Sequence, residues 1–229
     1  MQSALEDIQA LPQDWHGAGT VSNRVLDVIA QHHPEPLHHT AETGTGRSTL
    51  LFSHLSPDHL VFAKDDQGDG DSLKLVRSSS LLRSSAATFV VGPTQLTLPA
   101  CQLPQALDLV LLDGPHAFPF PQLEYYYFYP RIRPGGLLIL DDIQIPHIAG
   151  MAKLLRDDDM WHLNAVVDDT AFYTRTLSPT LDPTGDGWWL QGFNRRSRAA
   201  ALRHRVRLGA TRRVSTCLKA VTRASPRTG

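Results

Sequence analysis

The residues best placed to do chemistry in this 229-residue sequence are three aspartates and a histidine at the ends of two apolar runs. Leu107, Val110, Leu111 and Leu112 lead into Asp113-Gly114-Pro115-His116, and Leu137 to Leu140 lead into Asp141-Asp142. Runs that are apolar on both faces suit central strands of a parallel sheet. Ligands of such sheets bind outside the carboxyl ends of the strands, so Asp113, Asp141 and Asp142 are expected to share one crevice. Three carboxylates there repel one another unless a cation sits among them, and hard oxygen ligands suit Mg²⁺, Mn²⁺ or Ca²⁺. The plainer alternative is that Asp142 caps the next helix and Asp113 only ends a strand. His116, with an imidazole reference pKa of about 6.5, suits a general base near neutral pH, or else shapes its loop by bonding to backbone.

A second group lies earlier. Leu37 to Glu42 reads as a short strand, followed by Thr43-Gly44-Thr45-Gly46-Arg47-Ser48-Thr49 and a helix over Leu50 to Leu55. Glycines at a strand-to-helix turn let the backbone approach a ligand, and the helix start offers free N–H groups. The pattern is GxGxxT; it lacks the third glycine of a dinucleotide site and the Gly-Lys-Ser/Thr ending of a P-loop. Leu60 to Ala63 then reads as a second strand ending in Lys64-Asp65-Asp66. Asp65 is placed to accept ribose hydroxyls, as the analogous acid does in dinucleotide sites, with a solvated acidic loop as the alternative.

These residues need a scaffold, and the rest of the chain supplies one. Residues 3–11 and 20–31 read as helices, the second capped by Thr20 or Ser22, with Trp15, His16, Gly17 and Gly19 between them as a connection or a flap over a ligand. Ser72 to Leu82 suits a helix and Thr88 to Val91 a third strand, followed by Gly92-Pro93-Thr94-Gln95. Pro121 to Tyr129 suits a crossover helix, and Pro134-Gly135-Gly136 a turn into the strand that ends at Leu140. A helix over His147 to Leu155 precedes a hairpin, His162 to Val167 and Ala171 to Thr176, turned by Asp168-Asp169-Thr170.

The order LDLVLLDGPH, then RPGGLLILDD, together with the Glu42-led glycine turn, resembles class I S-adenosylmethionine-dependent methyltransferases over residues 37–176. More narrowly, it is similar to the metal-dependent O-methyltransferases of catechol and antibiotic-sugar type. The resemblance implies a Rossmann-like, doubly wound α/β fold of seven strands, the last antiparallel. It implies cofactor contacts from Glu42 to the methionine ammonium, from Gly44 and Gly46 under the methionyl and ribose parts, and from Ser48 and Asp113. Asp65 falls at the ribose, and Thr94 or Gln95 near the adenine. It further implies a divalent ion, expected to be Mg²⁺, on Asp113, Asp141 and Asp142. In the catechol enzymes a Lys occupies the offset of His116 and removes the acceptor proton; here His116 is the expected base.

Bulk composition agrees with one sizeable α/β core: 41% of residues are hydrophobic and the net charge is −1. The charge is unevenly spread. Half of the 22 basic residues follow Asn194, and no Asp or Glu follows Asp186. Residues 1–193 are therefore expected to form the catalytic domain, with 1–36 as helical lead-in, 37–176 as cofactor core and 177–193 as an aromatic segment; 194–229 form a basic tail. Trp188, Trp189 and Phe193 suit core packing, a homodimer contact or a substrate-facing lid. The tail suits an amphipathic helix on lipid, nucleic acid or protein, or a disordered solubilising end. Cys101 and Cys217 form no disulfide framework, and neither a signal segment nor an 18-residue apolar stretch is visible, which points to the cytoplasm. The expected activity is O-methylation of a small-molecule hydroxyl. Its rivals are methylation of RNA or protein guided by the tail, and a non-catalytic cofactor-binding scaffold.

Overall fold

The computed structural model describes residues 2–12, 15, 20–64, 72–182 and 185–197. The chain divides into two compact units, residues 1–185 and 186–229. In the first, the elements run α1 (Gln2–Gln9), α2 (Asn23–Gln31), β1 (His39–Thr43), α3 (Arg47–Leu55), β2 (Asp58–Ala63), α4 (Ser72–Ser78), β3 (Ala87–Val91), α5 (Thr94–Ala100), β4 (Leu107–Leu112), α6 (Phe120–Phe128), β5 (Ile132–Leu140), α7 (Pro146–Asp157), β6 (Trp161–Val167) and β7 (Thr170–Arg175). One seven-stranded sheet has the order β3-β2-β1-β4-β5-β7-β6, parallel except where β7 pairs antiparallel with β5 and β6. This is the expected doubly wound topology.

Every residue of β4 is buried, which explains its apolar run from Leu109 to Leu112. Alternate residues serve opposite faces: Val110, Leu112, Leu138 and Leu140 pack with Phe128, Ile148 and Met151, whereas Leu109, Leu111, Leu137 and Ile139 pack with Leu26, Ile29, Leu50 and Leu51. Truncating one such leucine to alanine typically costs about 2–5 kcal/mol. Trp15 also packs against the second of these clusters. β6, at the sheet edge, alternates exposed and half-buried positions after the buried Trp161.

Three local expectations change. Pro134-Gly135-Gly136 is not a turn before the strand but an irregular stretch inside β5, where pairing with β4 shifts register. Gly135 has φ +80°, a conformation that glycine adopts without a Cβ penalty. α3 begins at Arg47 rather than Leu50, directly after the glycine turn, and the α4 helix stops at Ser78. Thr94 and Gln95 open a short helix, α5.

Asp108 ties the start of β4 to its neighbours. Its Oδ2 accepts from the backbone N–H of His38 at 2.6 Å and of His39 at 2.9 Å, and its Oδ1 accepts from Arg133 Nε. Burial pushes this carboxyl up, but the two backbone donors and Arg133 outweigh it and hold it below the usual carboxylate range. A depressed folded pKa adds stability above the unfolded value of about 3.9, and that stability is lost as pH falls through the folded value. Asp108→Ala is therefore expected to lower the urea unfolding free energy by about 2–4 kcal/mol at neutral pH, because two backbone donors and the Arg133 guanidinium lose their acceptor. The difference from wild type should shrink below pH 4. An unchanged unfolding midpoint would remove Asp108 from this role.

The second unit opens with a 3-10 turn, Trp188–Leu190, whose two tryptophan rings meet edge to face at 6.0 Å and 82°. Asn194 donates to the Trp188 carbonyl at 3.0 Å. The tail from residue 198 on, with its expected helix, lies outside the described residues.

Candidate active site

The carboxyl ends of β1, β2, β3, β4 and β5 open into a cavity of about 790 Å³. One end is lined by Asp113, His116, Asp141 and Asp142 together with Asp168, Asp169 and Thr170 of the β6–β7 turn; the other by Lys64, Gly92, Pro93, Thr94 and Gln95. Gly44 and Thr45 of the glycine turn and Thr20 to Ser22 of the lead-in segment complete the wall. Gly44 has φ +93°, and a Cβ there would collide with the Asp113 carbonyl oxygen. The glycine thus lets the β1 turn lie directly against the end of β4, drawing the two groups of sequence motifs into one site.

At the acidic end, His116 Nε2 lies 2.8 Å from Asp142 Oδ2 and 3.6 Å from Asp113 Oδ1. Ligand atoms of Asp113, His116 and Asp142 all fall within 4.8 Å of one another. Asp142 reaches this position with φ +57°. Asp141 is engaged elsewhere: its Oδ1 accepts the Thr170 hydroxyl. The group that converges is therefore two carboxylates and an imidazole, with Asp141 beside it, rather than three carboxylates alone. Burial pushes Asp113 up to about 7, against the opposing bond to His116 and with added repulsion from Asp141 and Asp142. Burial also raises Asp141. The bond to Asp113 raises His116, opposed by burial and reinforced by the nearby carboxylates. A site in which an acid holds its proton near neutrality is short of positive charge, and the donor set of two oxygens and one nitrogen fits a divalent cation.

The glycine turn rests on a buried network. Glu42 is 1% exposed and does not line the cavity. Ser48 donates to its Oε2 at 2.8 Å, Thr49 donates to its Oε1, and His59 Nε2 stands 3.2 Å from Oε1. His59 in turn shares a 2.8 Å hydrogen bond with Thr40. A buried carboxylate needs such partners, and they occupy the oxygens expected to face a ligand ammonium. Glu42 and Ser48 thus shape the turn from below, as does Gly46, whose N–H donates to Thr49 Oγ1 at 3.1 Å. Thr94 and Gln95 line the cavity. Asp65 lies outside the described residues.

Glu124 is a site-adjacent residue that sequence reasoning missed. It is 1% exposed, accepts from Thr43 at 2.8 Å through Oε2, and places Oε1 against Gly114 without a hydrogen-bond partner. Burial pushes its carboxyl up to about 7, against the pull of the Thr43 and Thr94 hydroxyls. The signal was legible: Glu124 is the lone charge in a helix otherwise rich in aromatics. Among the described residues no helix is long and apolar enough to cross a membrane.

Residues 41–143 match a family model described as a methyltransferase domain. No curated protein sequence matches the chain. Among solved structures, a putative caffeoyl-CoA O-methyltransferase from Staphylococcus aureus aligns at TM-score 0.60 and 13% identity, over 75% of this chain and 91% of that one. The O-methyltransferase TomG from Streptomyces achromogenes, involved in tomaymycin synthesis and solved with S-adenosylmethionine, aligns at TM-score 0.56 and 14% identity, over 76% and 89%. The MycE methyltransferase of mycinamycin biosynthesis, solved with Mg and S-adenosylhomocysteine, aligns at TM-score 0.50 and 15% identity, over 76% of this chain and 54% of that one.

Proposed function

From the premise that this chain carries a class I S-adenosylmethionine-dependent methyltransferase domain, we propose that it methylates a hydroxyl of a small molecule with the help of a divalent cation. The observation that carries the reading is the convergence of Asp113, His116 and Asp142 at one end of a cavity whose other end, at Lys64 and Gly92 to Gln95, has room for a nucleoside. Asp113 and Asp142 hold the cation, with Asp141 beside them. When bound, a divalent ion supplies Lewis acidity that makes the acceptor hydroxyl easier to deprotonate. Asp65 binds the ribose, and Thr94 and Gln95 border the adenine.

His116 takes the acceptor proton on its imidazole ring. The imidazolium so formed lies between Asp142 and Asp113, whose carboxylates stabilise it. The sulfonium methyl needs no further activation, so the chain's remaining contribution is positioning: β4 and the glycine turn, held in contact at Gly44, align donor and acceptor for in-line displacement.

The test is a panel of small hydroxyl compounds, spanning catechols and sugars, incubated with S-adenosylmethionine and Mg²⁺ while S-adenosylhomocysteine release is followed. Turnover with members of the panel is the expected result. Turnover confined to RNA or protein would favour docking through the basic tail, and cofactor binding without turnover on any acceptor would favour a scaffold.

A further inference from the structure

Glu124 sits on a face of α6 built for apolar packing. The other buried residues of that helix are Pro121 and Phe128, three before it and four after, so helical spacing places all three on one side. Phe128 packs in the cluster of Leu112 and Leu140, the residues that immediately precede Asp113 and Asp141. A carboxyl in such a row is costly unless its oxygens are engaged, and a leucine would fill the place without that penalty. Among the described residues only one oxygen is engaged: Oε2 accepts the Thr43 hydroxyl at 2.8 Å, whereas Oε1 has no hydrogen-bond partner.

The use of that single bond shows on the far side of Thr43. Thr43 Oγ1 accepts from the backbone N–H of Asp113 at 3.2 Å, the same N–H that the Thr43 carbonyl accepts at 3.2 Å. A hydroxyl has one hydrogen and two lone pairs. With its hydrogen committed to Glu124, the Thr43 oxygen can only accept from Asp113; with no acceptor at position 124, the hydrogen is free to swing toward that N–H, donor against donor. The carboxyl also abuts the next residue, since a Cβ on Gly114 would stand 2.5 Å from Oε1 and 2.8 Å from Oε2. Gly44 already packs on the Asp113 carbonyl. The Asp113-Gly114 corner is thus held at its N–H, its carbonyl and the following Cα, and from it the Asp113 carboxylate meets Asp142 and His116.

We propose that Glu124 is a positioning residue for the cation site. By taking the Thr43 hydroxyl hydrogen it aims that oxygen at the Asp113 N–H, and so fixes the corner that presents the Asp113 carboxylate to the ion. The inference rests on the divalent-cation reading above. It also gives a reason for a carboxyl, rather than an apolar side chain, on the buried face of α6.

The test is the affinity of the full chain for Mn²⁺ alone, without cofactor or acceptor, followed by electron paramagnetic resonance. Thr43→Val and Glu124→Leu should each weaken Mn²⁺ binding by about 10–100-fold, the scale of groups that orient a metal ligand. Glu124→Gln, whose carbonyl still accepts from Thr43, should bind nearly as wild type does. Because both residues act through one hydrogen bond, the double variant Thr43→Val with Glu124→Leu should be little worse than the poorer single. Leucine fills the same space, so a purely packing role predicts no loss in Glu124→Leu, and that result would overturn the proposal. A loss in Glu124→Gln as large as in Glu124→Leu would overturn it too, in favour of a charge acting across space. Should Glu124→Leu not fold, the near-isosteric Thr43→Val and the Glu124→Gln pair decide the question alone. Failure of wild type to bind Mn²⁺ would instead overturn the cation reading itself, and this proposal with it.

Discussion

His116→Gln is expected to lower kcat by roughly 10²–10⁴ with little change in affinity for S-adenosylmethionine, because general-base assistance is lost while the cofactor end of the cavity is untouched. Glutamine keeps a side chain of similar reach but cannot take the proton. In wild type, protonation of the imidazole, whose reference pKa is about 6.5, should give the kcat profile an acidic limb. That limb should vanish in the variant. His116 also has a ligand atom within reach of both carboxylates, so its second possible role needs separating from the first. A base changes kcat and its pH dependence; a ligand changes the affinity for the ion. Unchanged kcat and an unchanged profile would mean that water handles the proton.

Asp113→Asn carries the second large effect. Exchanging a charged oxygen for a neutral amide at the convergence point should weaken divalent-ion binding and lower turnover by about 10²-fold or more, beyond the 10–100-fold typical of groups that only support a ligand. Cofactor affinity should remain largely intact. The pH dependence has a definite sign. Burial pushes Asp113 up to about 7, so a proton must leave before the ion binds. Apparent affinity for the ion should therefore fall as pH drops below 7, by up to about tenfold per pH unit, and level off above it. Asp142→Asn should behave alike. Asp141→Asn should be milder, since Thr170 already occupies one of its oxygens. Full turnover in Asp113→Asn would return this residue to the role of a plain strand terminus.

Much of this site could be read from residue order, for a simple reason. In a doubly wound sheet the carboxyl ends of neighbouring strands meet, so an acid that halts each of two apolar runs must come close to the other. Asp113 and Asp142 follow that rule, and His116 comes with them because it lies one short loop away. Glu42 shows the limit. Its strand-end position resembles a ligand-binding acid, but what it touches depends on His59, brought alongside only by the pairing of β1 with β2. Arg47 is a similar case: its partners at Thr20, Val21 and Asn23 come from the segment opening α2, and no local pattern links the two. The register shift within β5 was hidden because Pro-Gly-Gly reads as a turn whether or not the backbone then continues as a strand. α5 escaped notice because Gly92-Pro93 suggests a loop and Pro99 interrupts the helical pattern.

In the proposed reaction a cation held by Asp113 and Asp142 takes part in methyl transfer to a small-molecule hydroxyl. The most direct measurement follows S-adenosylhomocysteine release from the full chain with an accepted hydroxyl compound, first in excess chelator and then after Mg²⁺ is restored. Turnover is expected to disappear with the chelator and return with the ion, while S-adenosylmethionine binds in both conditions. Undiminished turnover in excess chelator would contradict this and leave His116 and Asp142 as an ion pair beside Asp113, with no cation taking part in turnover.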